Sequence, residues 1–80
     1  MYFVYIIQSI DHPQQIYVGK TTNLKKRLSD HNCGTTAHTK KYMPWELVVY
    51  TCFNNELKAI SFEQYLKSGS GREFRKKRLL

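Results

Sequence analysis

The segment Tyr2–Ile7 is aromatic or β-branched at every position and is followed by the turn-forming run Asp11-His12-Pro13. A run of this kind reads as a buried strand, so the rest of the chain has to cover it. Strand character resumes over Gln15–Val18 and stops at Gly19, which makes the two segments a hairpin. Thr22 or Asn23 can cap a helix that starts at Leu24, with Leu24 and Leu28 on its buried side and Gly34 as its stop. Thr35–Met43 reads as polar loop, ended by Pro44. Glu46–Phe53 is a third strand, rich in β formers. A second helix runs from its cap at Asn55 to Lys67, halts at Ser68-Gly69-Ser70-Gly71, and gives way to a short basic helix reaching Leu80. The order β-β-α-β-α-α predicts an α+β fold, a small sheet with helices packed on it. At 80 residues the chain is one domain, residues 1–80, and it buries only about 60% of its unfolded surface.

Charge narrows the partner. Thirteen Lys and Arg against six Asp and Glu leave a net +7, which points to an acidic partner, nucleic acid first. Lys20, Lys25, Lys26 and Arg27 form one basic cluster, and Arg72, Arg75, Lys76, Lys77 and Arg78 form another. Brought onto one face, they would make a phosphate-binding surface; otherwise they are two solvated faces. No apolar run approaches the ~20 residues that span a bilayer, so no membrane role is expected. The N-terminal segment has no basic region and no small-residue cleavage site, so it does not read as a signal peptide. Two cysteines, Cys33 and Cys52, are too few for a disulfide framework, and a reducing, cytoplasmic setting is expected.

Three groups of residues carry candidate chemistry. Ala59, Phe62, Glu63 and Leu66 share one helical face, so Glu63 sits within an apolar stripe. A carboxylate there needs a cation, a metal or the edge of a cleft, or else pairs with Lys67 one turn on. Arg27 and His31 also share a face, and offer a fork for phosphate and a proton carrier near neutral pH. Otherwise the pair is a surface arginine and a histidine favoured at a helix C-terminus. His31, Cys33, His38 and Cys52 do not fit any zinc spacing, and no Gly-rich phosphate loop or serine triad is present.

Phe3-Val4-Tyr5, then Tyr17-Val18-Gly19, then Arg27 and His31, then Glu63, in this order, resemble the GIY-YIG nuclease domain. The run Tyr17-Val18-Gly19-Lys20-Thr21-Thr22-Asn23-Leu24 and the following Arg27-Leu28 are similar to the second motif of that family. His31-Asn32-Cys33-Gly34 with Pro44-Trp45-Glu46-Leu47-Val48 resembles its small stand-alone bacterial branch, and the likeness extends over roughly Tyr2–Arg78. The first motif departs from Gly-Ile-Tyr but keeps its tyrosine. The chain also has no Asn after Asn55, where many members carry one; Arg75 lies near that place.

The resemblance implies a three-stranded antiparallel sheet flanked by helices and metal-assisted hydrolysis of DNA phosphodiester bonds, in repair or recombination. It gives Glu63 the role of sole protein carboxylate on one Mg²⁺ or Mn²⁺ ion. Tyr5 and Tyr17 would face the scissile phosphate, with Tyr17 helping to activate the attacking water. Arg27 would steady the phosphate, His31 would be a hydrogen-bonding or proton-transfer partner, and Lys20 would lower a neighbouring tyrosine's pKa. DNA would be held by Lys20, Lys25, Lys26, Lys67, Arg72, Arg75 and Lys76, with a homodimer or a targeting protein as a further partner. A second reading keeps the basic clusters and drops the chemistry: a nucleic-acid-binding module with a vestigial site. In either case binding should weaken as salt rises.

Overall fold

The computed structural model describes residues 1–80. Strand β1 (Tyr2–Ser9) lies at the centre of a three-stranded antiparallel sheet of order β2-β1-β3, between β2 (Ile16–Thr21) and β3 (Trp45–Phe53). Its apolar run Tyr2–Ile7 now has a cause, because both faces of the strand are covered. Val4 and Ile6 join Val18, Ala59 and Leu66 in a core on one face. Tyr5 and Ile7 join Trp45 on the other. Helix α1 (Leu24–Asn32) covers the Tyr5 face through Leu24 and Leu28. Helices α3 (Glu56–Lys67) and α4 (Gly69–Arg78) cover the Val4 face through Phe62, Leu66 and Phe74. Pairing slips between Ile6↔Val49 and Ile7↔Leu47, so Val48 is an extra residue in β3 and reaches the same core as Val49.

The helices begin where capping chemistry allows. Asn23 accepts from the Lys26 N–H at 3.1 Å, and Asn55 accepts from the Lys58 N–H at 3.1 Å. Helix α1 ends at Asn32, and Gly34 follows with φ 74°.

Three details differ from expectation. Strand β2 does not stop at Gly19 but runs on to Thr21, because Gly19 pairs with Tyr5 and the tyrosine ring lies over it. Ser68-Gly69-Ser70-Gly71 halts α3 as expected, but from Gly69 onward it already belongs to α4. Ser68 caps α4 by accepting from the Gly71 N–H at 3.2 Å, and Gly71 is buried where a Cβ would meet the Tyr65 carbonyl and stand 2.8 Å from the Leu66 Cα. The stretch expected to be polar loop contains a one-turn helix, α2 (Ala37–Lys40). It carries Thr39 into the core, where the Thr39 carbonyl accepts from the indole N–H of Trp45 at 2.8 Å. The Asn32 side chain then ties α1 to β3. It donates to the Trp45 carbonyl at 3.0 Å and accepts from the Trp45 N–H at 2.6 Å.

Candidate active site

The register of β1 on β2 sets out the first components. Tyr5 opposes Gly19, and Tyr17 opposes Ile7, so the two tyrosines are diagonal neighbours on one face with ring centroids 6.3 Å apart. Helix α1 lies over that face and presents Arg27 and His31 one turn apart. His31 is wholly buried. Its Nε2 lies 2.8 Å from the Tyr5 hydroxyl and its Nδ1 lies 2.8 Å from the Thr39 hydroxyl. The Tyr17 ring packs edge-on against His31 at 5.0 Å and against His38 of α2 at 5.4 Å. The structure thus brings Tyr5, Tyr17, Arg27 and His31 together.

Burial governs their electrostatics. It pushes the Tyr5 hydroxyl up to about 12, against the pull of the adjacent Arg27, with Tyr17 and Glu63 adding smaller upward contributions. Tyr5 is therefore neutral at physiological pH. The Tyr5 hydroxyl in turn holds the Arg27 guanidinium above its ordinary value, and Tyr17 does so more weakly. Burial, then the charge of Arg27, lowers the pKa of His31, so the ring is neutral at pH 7. Protonating His31 therefore costs more in the folded state than in the unfolded one. Its contribution to stability is present above the usual value of 6.5 and is lost as pH falls below it. In an NMR titration its ring resonances should have their midpoint below 6.5, and the melting temperature should drop as pH falls through that midpoint; a midpoint at or above 6.5 would refute this.

Glu63 approaches from the other face of the sheet. Its side chain is 20% exposed and its Oε2 lies 3.2 Å from the Lys67 ammonium, so the i,i+4 pair is made. It lies near enough to Tyr5 to raise the hydroxyl's pKa. Lys67, Arg72 and Arg75 line a cleft at the β2 edge with Ile16, Tyr17, Val18 and His38. A second groove continues from it past Gln14 and Gln15 to Lys76. Neither Arg72 nor Arg75 has an ion-pair partner, and burial with the charge of Arg72 lowers the pKa of Arg75.

The remaining basic residues lie elsewhere. Lys20 follows Gly19 and so points to the opposite face from Tyr17, where its ammonium lies 3.7 Å from Glu56. Burial moves the Tyr5 hydroxyl up, and Lys20 is not among the groups acting on it. Lys26 pairs with Asp30 at 3.0 Å, and Lys25 lines an apolar cleft with Phe3, Leu24, Leu28, Leu47 and Tyr50. Of the first basic cluster only Arg27, beside Tyr17, comes near the cleft that Arg72 and Arg75 line; Lys20, Lys25 and Lys26 are turned elsewhere. His38 belongs to no motif in the sequence and fits no zinc spacing. Its neighbours are fixed by α2, for which a polar stretch gives little signal.

No group of three or more His, Cys, Asp or Glu side chains is placed to hold a metal ion. Cys33 and Cys52 are free and exposed. A divalent ion at this site would have Glu63 as its protein carboxylate. That donor fits a hard cation that keeps much of its water. No helix is long and apolar enough to cross a membrane.

Comparison with known proteins adds the relatives. The family model for the GIY-YIG catalytic domain matches residues 1–78. The UPF0213 protein YsiG of Lactococcus lactis subsp. lactis is 42% identical over 67 residues, covering 82% of this chain and 62% of that protein. A UPF0213 protein of Haloquadratum walsbyi is 35% identical over 68 residues, covering 84% of this chain and 74% of that protein. The matched stretch is less than two thirds of the length of the two Lactococcus relatives, at 62% and 66%. The solution NMR structure of the UPF0213 protein BH0048 from Bacillus halodurans aligns with a TM-score of 0.56 at 28% identity. That alignment covers 95% of this chain and 81% of the other, and the two share the α+β fold.

Proposed function

Because the chain belongs to the GIY-YIG catalytic domain family, a nuclease family, we propose that it is a divalent-metal-dependent endonuclease that hydrolyses DNA phosphodiester bonds. The observation that carries this reading is the placement of the Arg27 guanidinium beside both tyrosine hydroxyls, next to a basic cleft at the β2 edge. Arg27 supplies fixed positive charge to a phosphate and to the extra charge that develops as water attacks. Tyr17, half-exposed in the cleft, offers the hydroxyl that would accept a hydrogen bond from that water at its Oη and so help to activate it. Tyr5, neutral and committed to His31, orients Arg27. Lys67, Arg72, Arg75 and Lys76 hold the flanking phosphates. Glu63 would hold Mg²⁺ or Mn²⁺, which when bound polarises the phosphoryl oxygen. A second copy of the chain or a targeting protein would select the site of cutting.

Supercoiled plasmid and labelled branched or single-stranded DNA, each with Mg²⁺, Mn²⁺ or EDTA, test the proposal. Cleavage should require the metal. Arg27→Ala should lower its rate by about a hundredfold or more, the scale of losing one preorganised charge donor. Wild-type protein that binds these DNAs and cuts none with either metal would instead be a DNA-binding module.

A further inference from the structure

The His31 ring has two tautomers, and its partners select one of them. Thr39 is wholly buried, and its hydroxyl has two neighbours, His31 Nδ1 at 2.8 Å and the Thr36 carbonyl at 3.5 Å. A carbonyl only accepts, so the Thr39 hydroxyl can turn its proton toward Thr36 and keep its oxygen as an acceptor for His31 at the shorter distance. The His31 proton then sits on Nδ1. Nε2 is bare and must accept from the Tyr5 hydroxyl, 2.8 Å away. With its own proton turned inward, the Tyr5 oxygen presents lone pairs outward, where the Arg27 guanidinium, a pure donor, lies. The opposite tautomer would have Nε2 donate to Tyr5. The Tyr5 proton would then point at Arg27, donor against donor.

We propose that Thr39 is a positioning residue: by holding His31 as the Nδ1–H tautomer it makes the Tyr5 hydroxyl an acceptor for Arg27, and so aims the guanidinium fork at the phosphate. Thr39 itself touches no substrate and acts through His31 and Tyr5. Its carbonyl bond to the Trp45 indole N–H, 2.8 Å, and the helical turn of α2 keep it in register with the ring. The proposal rests on the nuclease reading only for its consequence on rate; the tautomer stands on hydrogen-bond partners alone.

Nitrogen-15 correlation spectra of His31 test the tautomer directly in the wild-type protein. Nδ1 should carry the proton and Nε2 should give the shift of a bare ring nitrogen; the reverse assignment would overturn the proposal whether or not the protein cuts DNA. Thr39→Val keeps the shape and removes the acceptor, so the Nδ1–H form should lose its dominance. Cleavage kcat should then fall by about tenfold to a hundredfold, with KM for DNA little changed, as expected for a misaligned catalytic group. Thr39→Ser restores the oxygen and should restore both the spectrum and kcat. A Thr39→Val protein with the wild-type tautomer and wild-type kcat would give Thr39 a packing role only. Should Thr39→Val fail to fold, the wild-type and Thr39→Ser spectra still decide the tautomer. Wild-type protein with the Nδ1–H form but no cleavage would support the tautomer and overturn the nuclease reading and the role for Arg27.

Discussion

Gly19→Ala should cost the fold about 2 kcal/mol, the scale of overpacking a filled core, and should also reduce cleavage. A Cβ at this position would stand 2.6 Å from the Tyr5 Cζ and 3.0 Å from the Tyr17 Cε2, closer than such atoms approach. Tyr5 is 1% exposed, and its hydroxyl is bonded to an equally buried histidine, so the ring has nowhere to retreat without breaking that bond. The melting temperature should fall by roughly 8–16 °C, the conversion for a domain of this size. Cleavage measured well below the new melting temperature should still fall, by about tenfold or more, because Tyr5 no longer aligns Arg27. Gly69→Ala is the control. Nothing lies within 4 Å of a Cβ there, so neither quantity should move appreciably. Equal effects at the two glycines would mean that the contact with Tyr5 carries no special weight.

That glycine also shows why part of the structure was hard to read from sequence. Strand β1 and the capped helices α1 and α3 depend on local chemistry, on an unbroken apolar run and on Asn23 and Asn55 ahead of helical stretches, and these were legible. Gly19 resembles a strand terminator in isolation, and only a ring from the neighbouring strand explains its place inside β2. Gly71 belongs to the same class. It reads as a helix breaker, yet the close approach of α4 to the end of α3 requires it. Thr39 and His38 acquire their roles through α2, a single turn held by tertiary contacts with His31 and Trp45. At the site, the i,i+4 spacing of Arg27 and His31 correctly placed them on one face, but it could not tell that His31 is wholly buried. Lys20 shows the opposite failure. The family resemblance made it an electrostatic partner of a tyrosine, and the pleat of the strand turns it to the other face from Tyr17, toward Glu56.

Glu63→Gln separates the two uses the sequence offered for this carboxylate. If its work is to pair with Lys67, the amide serves nearly as well, since its oxygen can accept from the ammonium now 3.2 Å away. A pair of this kind, with Lys67 half-exposed, is worth no more than about 1 kcal/mol, so the melting temperature should change little. If its work is to hold a divalent cation, the amide fails, because a neutral oxygen replaces the negative charge a hard ion needs. Cleavage should then drop by about a thousandfold, the several kcal/mol that a bound divalent ion contributes to phosphoryl transfer. DNA affinity should be retained or should rise, since the substitution removes a negative charge beside the cleft that Lys67 lines. The joint result is what discriminates. Lost cleavage with intact folding and binding assigns Glu63 to the metal, whereas unchanged cleavage leaves it an ion-pair residue and overturns the metal role proposed for it.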